Sequence, residues 1–304
     1  MTRFLLLTGL STLAAACSPH GASGLALDGG LPAGGGAIVD NGDGSYTIPM
    51  TFTVAPGEER YECRDFANPF GGAEAAIARF ESHLSPGAHH LLLFYKPGAR
   101  DGAPERCSGT ELAAGPYGSQ RSDDALAYPS GVGAVVPSTS GFRVQAHYLN
   151  ASTAPLTATV QLRMIVAPPA SVRDHAAVLF FTNTNLDIPA GATGAVATKS
   201  CTLPFDVNLI QATGHMHRHG VAFFASASAS PSETLFDSHA WQDVAPALFE
   251  PPVHLAAGTS ITFSCTYDNP GPTALGYGDS AQSNEMCIFT AQFYPAPFGG
   301  WSCS

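Results

Sequence analysis

The residues of this chain whose types could hold a redox metal fall in four short strings: His89-His90, His147, His215-Met216-His217 and Met286. The first two lie in the N-terminal half and the last two in the C-terminal half. One half therefore offers three imidazoles, the other two imidazoles and a thioether. Imidazole suits zinc, copper, iron and nickel, whereas thioether sulfur selects Cu(I). The expectation is two separate copper sites, with two coppers per chain.

The elements that must position these groups read as strands. Tyr46, Ile48, Met50, Phe52 and Val54 alternate with smaller or polar neighbours, as do Ala158 to Val166 and Ile261 to Tyr267. Period-2 alternation means half-buried antiparallel strands. Helical periodicity is weak, and Ala73 to Phe80 (AEAAIARF) is the one short candidate. In Phe142 to Leu149 (FRVQAHYL), Phe142, Val144, Ala146 and Tyr148 are expected to face the core, with Arg143, Gln145 and His147 on the opposite face. Adjacent residues on a regular strand point to opposite faces. His89 and His90 can therefore serve one ion only at a strand end or distortion, which Pro86-Gly87 upstream could supply. His215 and His217, two apart, share a face. Met216 is expected in the core and His219 on a turn before Gly220.

Composition agrees with a β protein. Charged residues make up 12%, with 32 Gly and 24 Pro, which favours short strands and turns. Net charge is −11, which argues against a nucleic-acid partner. Pro168-Pro169 closes one strand-rich half and Ala170 to Asp174 can link to the next. Two β-sandwich domains are expected, 37–168 and 170–304.

The start of the chain reads as an export signal. Arg3 is its charged region, Phe4 to Leu13 its apolar region, and Ala14-Ala15-Ala16 precede Cys17. The segment resembles a bacterial lipoprotein box in which Cys17 carries the lipid, although Ala14 stands where leucine is usual; ordinary cleavage near Cys17 is the other reading. On the first reading residues 1–17 are signal and lipobox, and 18–36 a Gly-rich tether. The chain would then be an exported lipoprotein, periplasmic or on the outer-membrane surface, touching a membrane only through its lipid. Six cysteines remain: Cys63, Cys107, Cys201, Cys265, Cys287 and Cys303. An even number in an exported chain reads as disulfides, and no pair has C-x-x-C spacing. If no bridge joins the halves, Cys63 pairs with Cys107 and three pairings remain open for the others.

The strings His89-His90-Leu91-Leu92-Leu93-Phe94, Gln145-Ala146-His147-Tyr148, His215-Met216-His217 and Glu285-Met286-Cys287, in this order, resemble the copper type II, ascorbate-dependent monooxygenases. Tyr61-Glu62-Cys63 resembles the family's Tyr-x-Cys element, and the likeness spans the chain after the tether. The resemblance implies two jelly-roll-like antiparallel sandwiches, each with one copper, facing one another across a solvent-filled cleft. It implies bridges Cys63–Cys107, Cys201–Cys303 and Cys265–Cys287. It assigns His89, His90 and His147 to an electron-transfer copper, and His215, His217 and Met286 to the copper that meets O2. Gln145 matches a glutamine on the family's electron route. The implied reaction hydroxylates an aliphatic C–H bond with O2 and an external reductant such as ascorbate.

The chain departs from the family at the substrate. Peptide-acting members bind a terminal carboxylate with arginine, asparagine and tyrosine where this chain has Thr213, Ile288 and Thr290. A buried carboxylate needs paired charge or several donors. The expected substrate is a small, less charged or apolar molecule rather than a glycine-extended peptide. The rival reading is a non-catalytic copper-binding or delivery lipoprotein using the same ligands. Hydrolase motifs such as G-x-S-x-G and H-E-x-x-H are absent.

Overall fold

Alternation in the sequence becomes paired strands in the computed structural model, which describes residues 36–109, 115–228, 233–297 and 300–304. The expected signal, Cys17 and the tether up to residue 35 lie outside the described residues. Ser45–Val54 buries Ile48, Met50, Phe52 and Val54, and Leu156–Ala167 pairs beside it in antiparallel register, Val160 opposite Met50. Apart from the short 3-10 turn Pro169–Ser171, the regular elements of the described residues are all strands.

The N-terminal half is a two-sheet sandwich. One sheet runs Val39–Asp40, Ser45–Val54, Leu156–Ala167, Ala75–Leu84, Val132–Val136, Asp174–His175, with Asp123–Ala127 also on Ala75–Leu84. The other runs Glu105–Arg106, Glu59–Phe66, Ser140–Leu149, Ala88–Pro97, Tyr117–Ser119. Ile48, Phe80, Leu91, Phe142, Tyr148 and Leu162 pack between them. The C-terminal half repeats the plan. One sheet runs Ala247–Leu255, Val207–His215, Ile288–Tyr294, Ala177–Thr182, Trp301–Cys303, and the other Ala195–Thr202, Ser260–Tyr267, Gly220–Ala227, Glu233–Ser238. Their core holds Phe181, Phe223, Phe263, Tyr267, Phe289 and Phe293. These are the two jelly-roll-like sandwiches expected. Bridges Cys63–Cys107, Cys201–Cys303 and Cys265–Cys287 are all formed, within halves and in the implied pairing.

One expectation is corrected. Residues 73–80 do not form a helix; Ala75–Leu84 is a strand with Ile77, Phe80 and Leu84 buried. Its Ala, Glu and Arg favour a helix locally, but Leu156–Ala167 on one side and two strands on the other supply a full ladder, and tertiary pairing overrides propensity. The junction at 168–170 is a turn, yet Asp174–His175 beyond it still pairs, in parallel, with Val132 and Gly133 of the first half. Both halves belong to one compact unit. The face of Ser140–Leu149 carrying Gln145 and His147 is covered, and both side chains are 0% exposed: Tyr61 stacks on His147, Ser108 accepts from Gln145, and His217 approaches from the C-terminal half.

Candidate metal centre

His89 and His90 open the strand Ala88–Pro97, whose backbone enters through Gly87 at φ +93°, a conformation that favours glycine. The ladder to Ser140–Leu149 slips there: His147 lies opposite His90 and Tyr148 opposite Ala88. His89 is the extra residue of a β-bulge, so both neighbouring histidines can turn to one side. His147 stands on the central strand of the same sheet. His215 ends the strand Val207–His215, and His217 follows outside it. Gly214 is needed there, since a Cβ would lie 2.5 Å from the Phe223 ring. Met216 packs in the core and His219 sits on the turn, as expected.

The two histidine sets meet. Ring centroids of His89 and His215 are 4.9 Å apart, those of His90 and His215 5.3 Å, and those of His147 and His217 6.4 Å. Ligand atoms of His89, His90 and His147 lie within 4.8 Å of one another, and so do those of His89, His215 and His217. The halves flank a cleft, as expected, but the two histidine sets lie close together rather than apart, with His90 and His215 lining the cleft. The physical reason is the dry contact between the halves. Gln120 Nε2 donates to the carbonyl of Gly214, and Tyr61 Oη donates to the carbonyl of Asp279. Asp279 also accepts from Ser108 Oγ and the Gly109 amide.

Ring protons are fixed by acceptors outside the cluster. His147 Nε2 donates to Glu59 Oε1 at 2.9 Å, His215 Nδ1 to Gln120 Oε1 at 2.7 Å, and His217 Nδ1 to the carbonyl of Asn284 at 3.2 Å. In a neutral ring the other nitrogen then carries the lone pair. Those nitrogens, His147 Nδ1, His215 Nε2 and His217 Nε2, are buried without a hydrogen-bond partner. His90 is bonded to Gln145 and has Nε2 without a partner, while His89 has neither nitrogen partnered. Burial holds His90 and His217 down to about 4, and drives His89, His147 and His215 well below the usual histidine value; neighbouring imidazoles add to the shift on His89, His147 and His215. Five neutral imidazoles, four of them buried and His215 half-buried with its Nε2 out of solvent, fit a metal such as copper through their convergent lone pairs. Acceptors behind His147, His215 and His217 are the arrangement that orients metal-binding imidazoles.

Met286 is buried beside this cluster and lines the cleft with His90 and His215. Its segment is held hard. Tyr267 Oη donates to the carbonyl of Met286, and Cys287 is bridged to Cys265. Glu285, fully buried, accepts from the amides of His217 and His219 and from His219 Nδ1. Burial pushes its carboxyl up to about 7 against those bonds. Sequence reasoning missed Glu59, Gln120, Asn284 and Asp279, which act from far along the chain and belong to no motif. Tyr61 gains a place: its ring stacks on His147 at 3.8 Å.

The cleft, about 280 Å³, runs from the cluster between the halves. Leu92 and Phe94 line one side, and Val178, Phe180, Ile288 and Trp301 the other. Thr213 and Thr290 also line it, so the three departures from the peptide-binding pattern all face this space. Among the described lining residues there is no Arg or Lys, and Asp124 is the one carboxylate. Burial raises that carboxyl above its usual value.

No family model matches the chain, and no curated protein matches its sequence. Among solved structures it is similar to the STIV MCP, at 9% identity and TM-score 0.38, over 84% of this chain and 97% of that one. It is also similar to PNGase F, a glycosylasparaginase from Flavobacterium meningosepticum, at 8% identity and TM-score 0.30, again over 84% and 97%. Such likeness carries no argument about the site.

Proposed function

We propose that this chain is a copper-dependent monooxygenase related to the copper type II, ascorbate-dependent enzymes, and that it hydroxylates an aliphatic C–H bond of a small, uncharged and largely apolar molecule. The observation that carries the reading is the meeting of five imidazoles, four buried and one half-buried, their lone pairs unpartnered, with an apolar cleft that reaches His90, His215 and Met286. The overall change converts C–H, O2, two electrons and two protons into C–OH and water. Bound copper supplies the one-electron chemistry that side chains lack.

The chain's own residues do the rest. His89, His90 and His147 would hold one ion, and His215, His217 and Met286 the other. Glu59, Gln120 and the Asn284 carbonyl keep the ring protons of His147, His215 and His217 turned away from the metal. Leu92, Phe94, Val178, Phe180 and Ile288 exclude water and orient an apolar substrate. Gln211 lines the cleft with a buried side-chain oxygen that lacks a partner, a place for a substrate N–H or O–H. Gln145, in contact with His90 and donating to the Ser108 carbonyl, would serve the electron route that the resemblance implies. Ascorbate or a similar one-electron donor completes the reaction.

The disulfides fit an oxidising compartment, and no helix among the described residues is long and apolar enough to cross a membrane. Anchoring through a lipid on Cys17 is part of the proposal; loss of fatty-acid labelling in Cys17→Ser is the expected result. The enzymatic reading is tested with copper-loaded protein, ascorbate and isotopically labelled dioxygen over a panel of neutral apolar compounds and glycine-extended peptides. Label in a hydroxylated apolar product, with uptake dependent on that compound, is expected. Efficient turnover of the peptides would overturn the substrate assignment. Rapid copper transfer to an acceptor protein without any oxygenated product would favour the delivery reading.

A further inference from the structure

Both walls of the cleft recede from the histidines in two-residue steps. On the C-terminal side His215, Thr213 and Gln211 line it along the strand Val207–His215, while Ala212 packs in the core. Ile288, Thr290 and Gln292 of the neighbouring strand stand opposite them in register, Ile288 beside His215, Thr290 beside Thr213 and Gln292 beside Gln211. On the N-terminal side His90, Leu92 and Phe94 line it from the strand Ala88–Pro97. The cleft thus has a histidine end and a glutamine end, with hydroxyls and hydrocarbon between. At the glutamine end the two amides differ. Gln292 is satisfied: its Nε2 donates to the carbonyl of Pro116 at 3.0 Å, across the boundary between the halves, and its Oε1 accepts from Tyr128 Oη at 3.3 Å. Gln211, 8% exposed, has Oε1 buried without a partner. A buried amide oxygen left unpaired costs free energy that a bound donor recovers. Asp124, the one carboxylate of the lining, is already served by the Ala125 amide, by Ser119 and by the charge of Arg121.

We infer that Gln211 is the head-group subsite of the cleft: its Oε1 accepts a hydrogen bond from a hydroxyl or amide N–H at one end of the substrate, whose hydrocarbon then lies past Thr213 and Thr290 toward His215 and Met286. The inference rests on the monooxygenase reading for the reacting end, and on the lining alone for the head. It narrows the substrate class to a neutral, chain-like alcohol or amide. A chain without a donor leaves Gln211 unpaired, and that mismatch is how the site discriminates. The arrangement also sets the position of reaction. Four residues of strand, from Gln211 to His215, span ~13 Å. A hydrogen bond at the head and the approach at the reacting end each take up to about 3 Å of that length. An extended chain advances about 1.2 Å per bond, which places the oxidised carbon roughly six to eight bonds from the head atom.

The test is calorimetric binding of 1-octanol, octanamide, octylamine and octyl methyl ether to the disulfide-bonded protein, with and without copper and in the absence of O2. The ether keeps the chain and the oxygen and lacks only the donor. The alcohol and the amide are expected to bind about tenfold tighter than the ether. Gln211→Met, of similar length, should bring the alcohol to the level of the ether. The wild-type comparison of alcohol and ether needs no variant, so misfolding of Gln211→Met does not remove the test. With copper, ascorbate and labelled dioxygen, the label should enter 1-octanol about six to eight bonds from its hydroxyl oxygen. Equal binding of alcohol and ether, or no binding of any probe, would overturn the subsite. Tightest binding of octylamine would assign the head to Asp124 instead. Label on the carbon next to the hydroxyl-bearing one would overturn the direction in which the chain lies. A preference for the donor without any oxygenated product would leave the role of Gln211 standing and overturn the monooxygenase reading.

Discussion

At the scale of single residues, Met286 is the proposed ligand that would distinguish one side of the centre from the other. A lone methionine is more often packing than ligand, and Met286 is buried enough to be either. Its ligand role predicts a specific loss. Met286→Ala should retain copper on His215 and His217 but lose the sulfur scatterer seen by X-ray absorption in the reduced protein, with substrate oxidation falling at least a hundredfold. Retention of the sulfur signal would assign it elsewhere. Tyr267 Oη and Cys287 hold the Met286 backbone independently of that sulfur, so the truncation removes the thioether without releasing the segment. The cleft makes a second residue-scale prediction. On the resemblance to copper monooxygenases, Ile288 stands where peptide-acting enzymes have a polar residue, and it lies among lining residues without a described cation. Ile288→Asn should therefore lower turnover of an apolar substrate through KM, and should not by itself create turnover of glycine-extended peptides, for which the arginine is still missing at Thr213.

At the scale of elements, the segment 277–287 ties the halves together. Glu59, on the strand Glu59–Phe66, accepts from His147 Nε2, from Ser280 Oγ at 2.7 Å and from the Ala281 amide at 2.5 Å. One carboxylate thus fixes the His147 ring and the loop that leads to Met286. Glu59→Ala leaves three donors without their acceptor and should lower stability by about 3 kcal/mol in urea unfolding. It should also change the copper spectrum on the His147 side, whereas Glu59→Gln should lose less. An unchanged unfolding midpoint in Glu59→Ala would show that water replaces the carboxylate fully. The candidate ligands were legible in the sequence because their types are few and their spacing tight, and a distortion at His89 was expected because two adjacent ligands would demand it. Strands with one dry face, such as Ser45–Val54 and Ser260–Tyr267, were equally plain. Ala75–Leu84 was not, because its residues favour helix and its neighbours in the ladder are far away in the chain. Nor was the burial of Gln145 and His147: alternation marks which face is polar, but not whether another sandwich dries it. The same limit hid Glu59 and Gln120, whose partners lie 88 and 95 residues away.

At the scale of the whole molecule, the centre makes the metal-free fold sensitive to acid. An exposed imidazole in the unfolded chain titrates near 6.5, whereas burial holds folded His90 and His217 at about 4. Protons therefore bind the unfolded chain first. Stability is fully present above about pH 6.5 and is lost as pH falls from there toward 4, at about 1.4 kcal/mol per unit for each such group. At pH 5 the two together should cost about 4 kcal/mol, a large fraction of a typical folding free energy. His89, His147 and His215 are shifted the same way and steepen the fall. Glu285 acts oppositely. Its folded carboxyl, raised to about 7, takes up a proton before the unfolded one does. It stabilises the fold below about pH 4.5, and that contribution fades as pH rises through 7. One such group cannot offset five histidines, so the net slope keeps the sign of the imidazoles. Urea unfolding of the copper-free protein should show a midpoint far lower at pH 5 than at pH 7.5, and Glu285→Gln should leave that difference in place. Equal midpoints at the two pH values would mean that the histidines are hydrated in the metal-free state and that the halves open there. The lone pairs would then converge only once copper is bound, as a product of loading rather than a property of the fold.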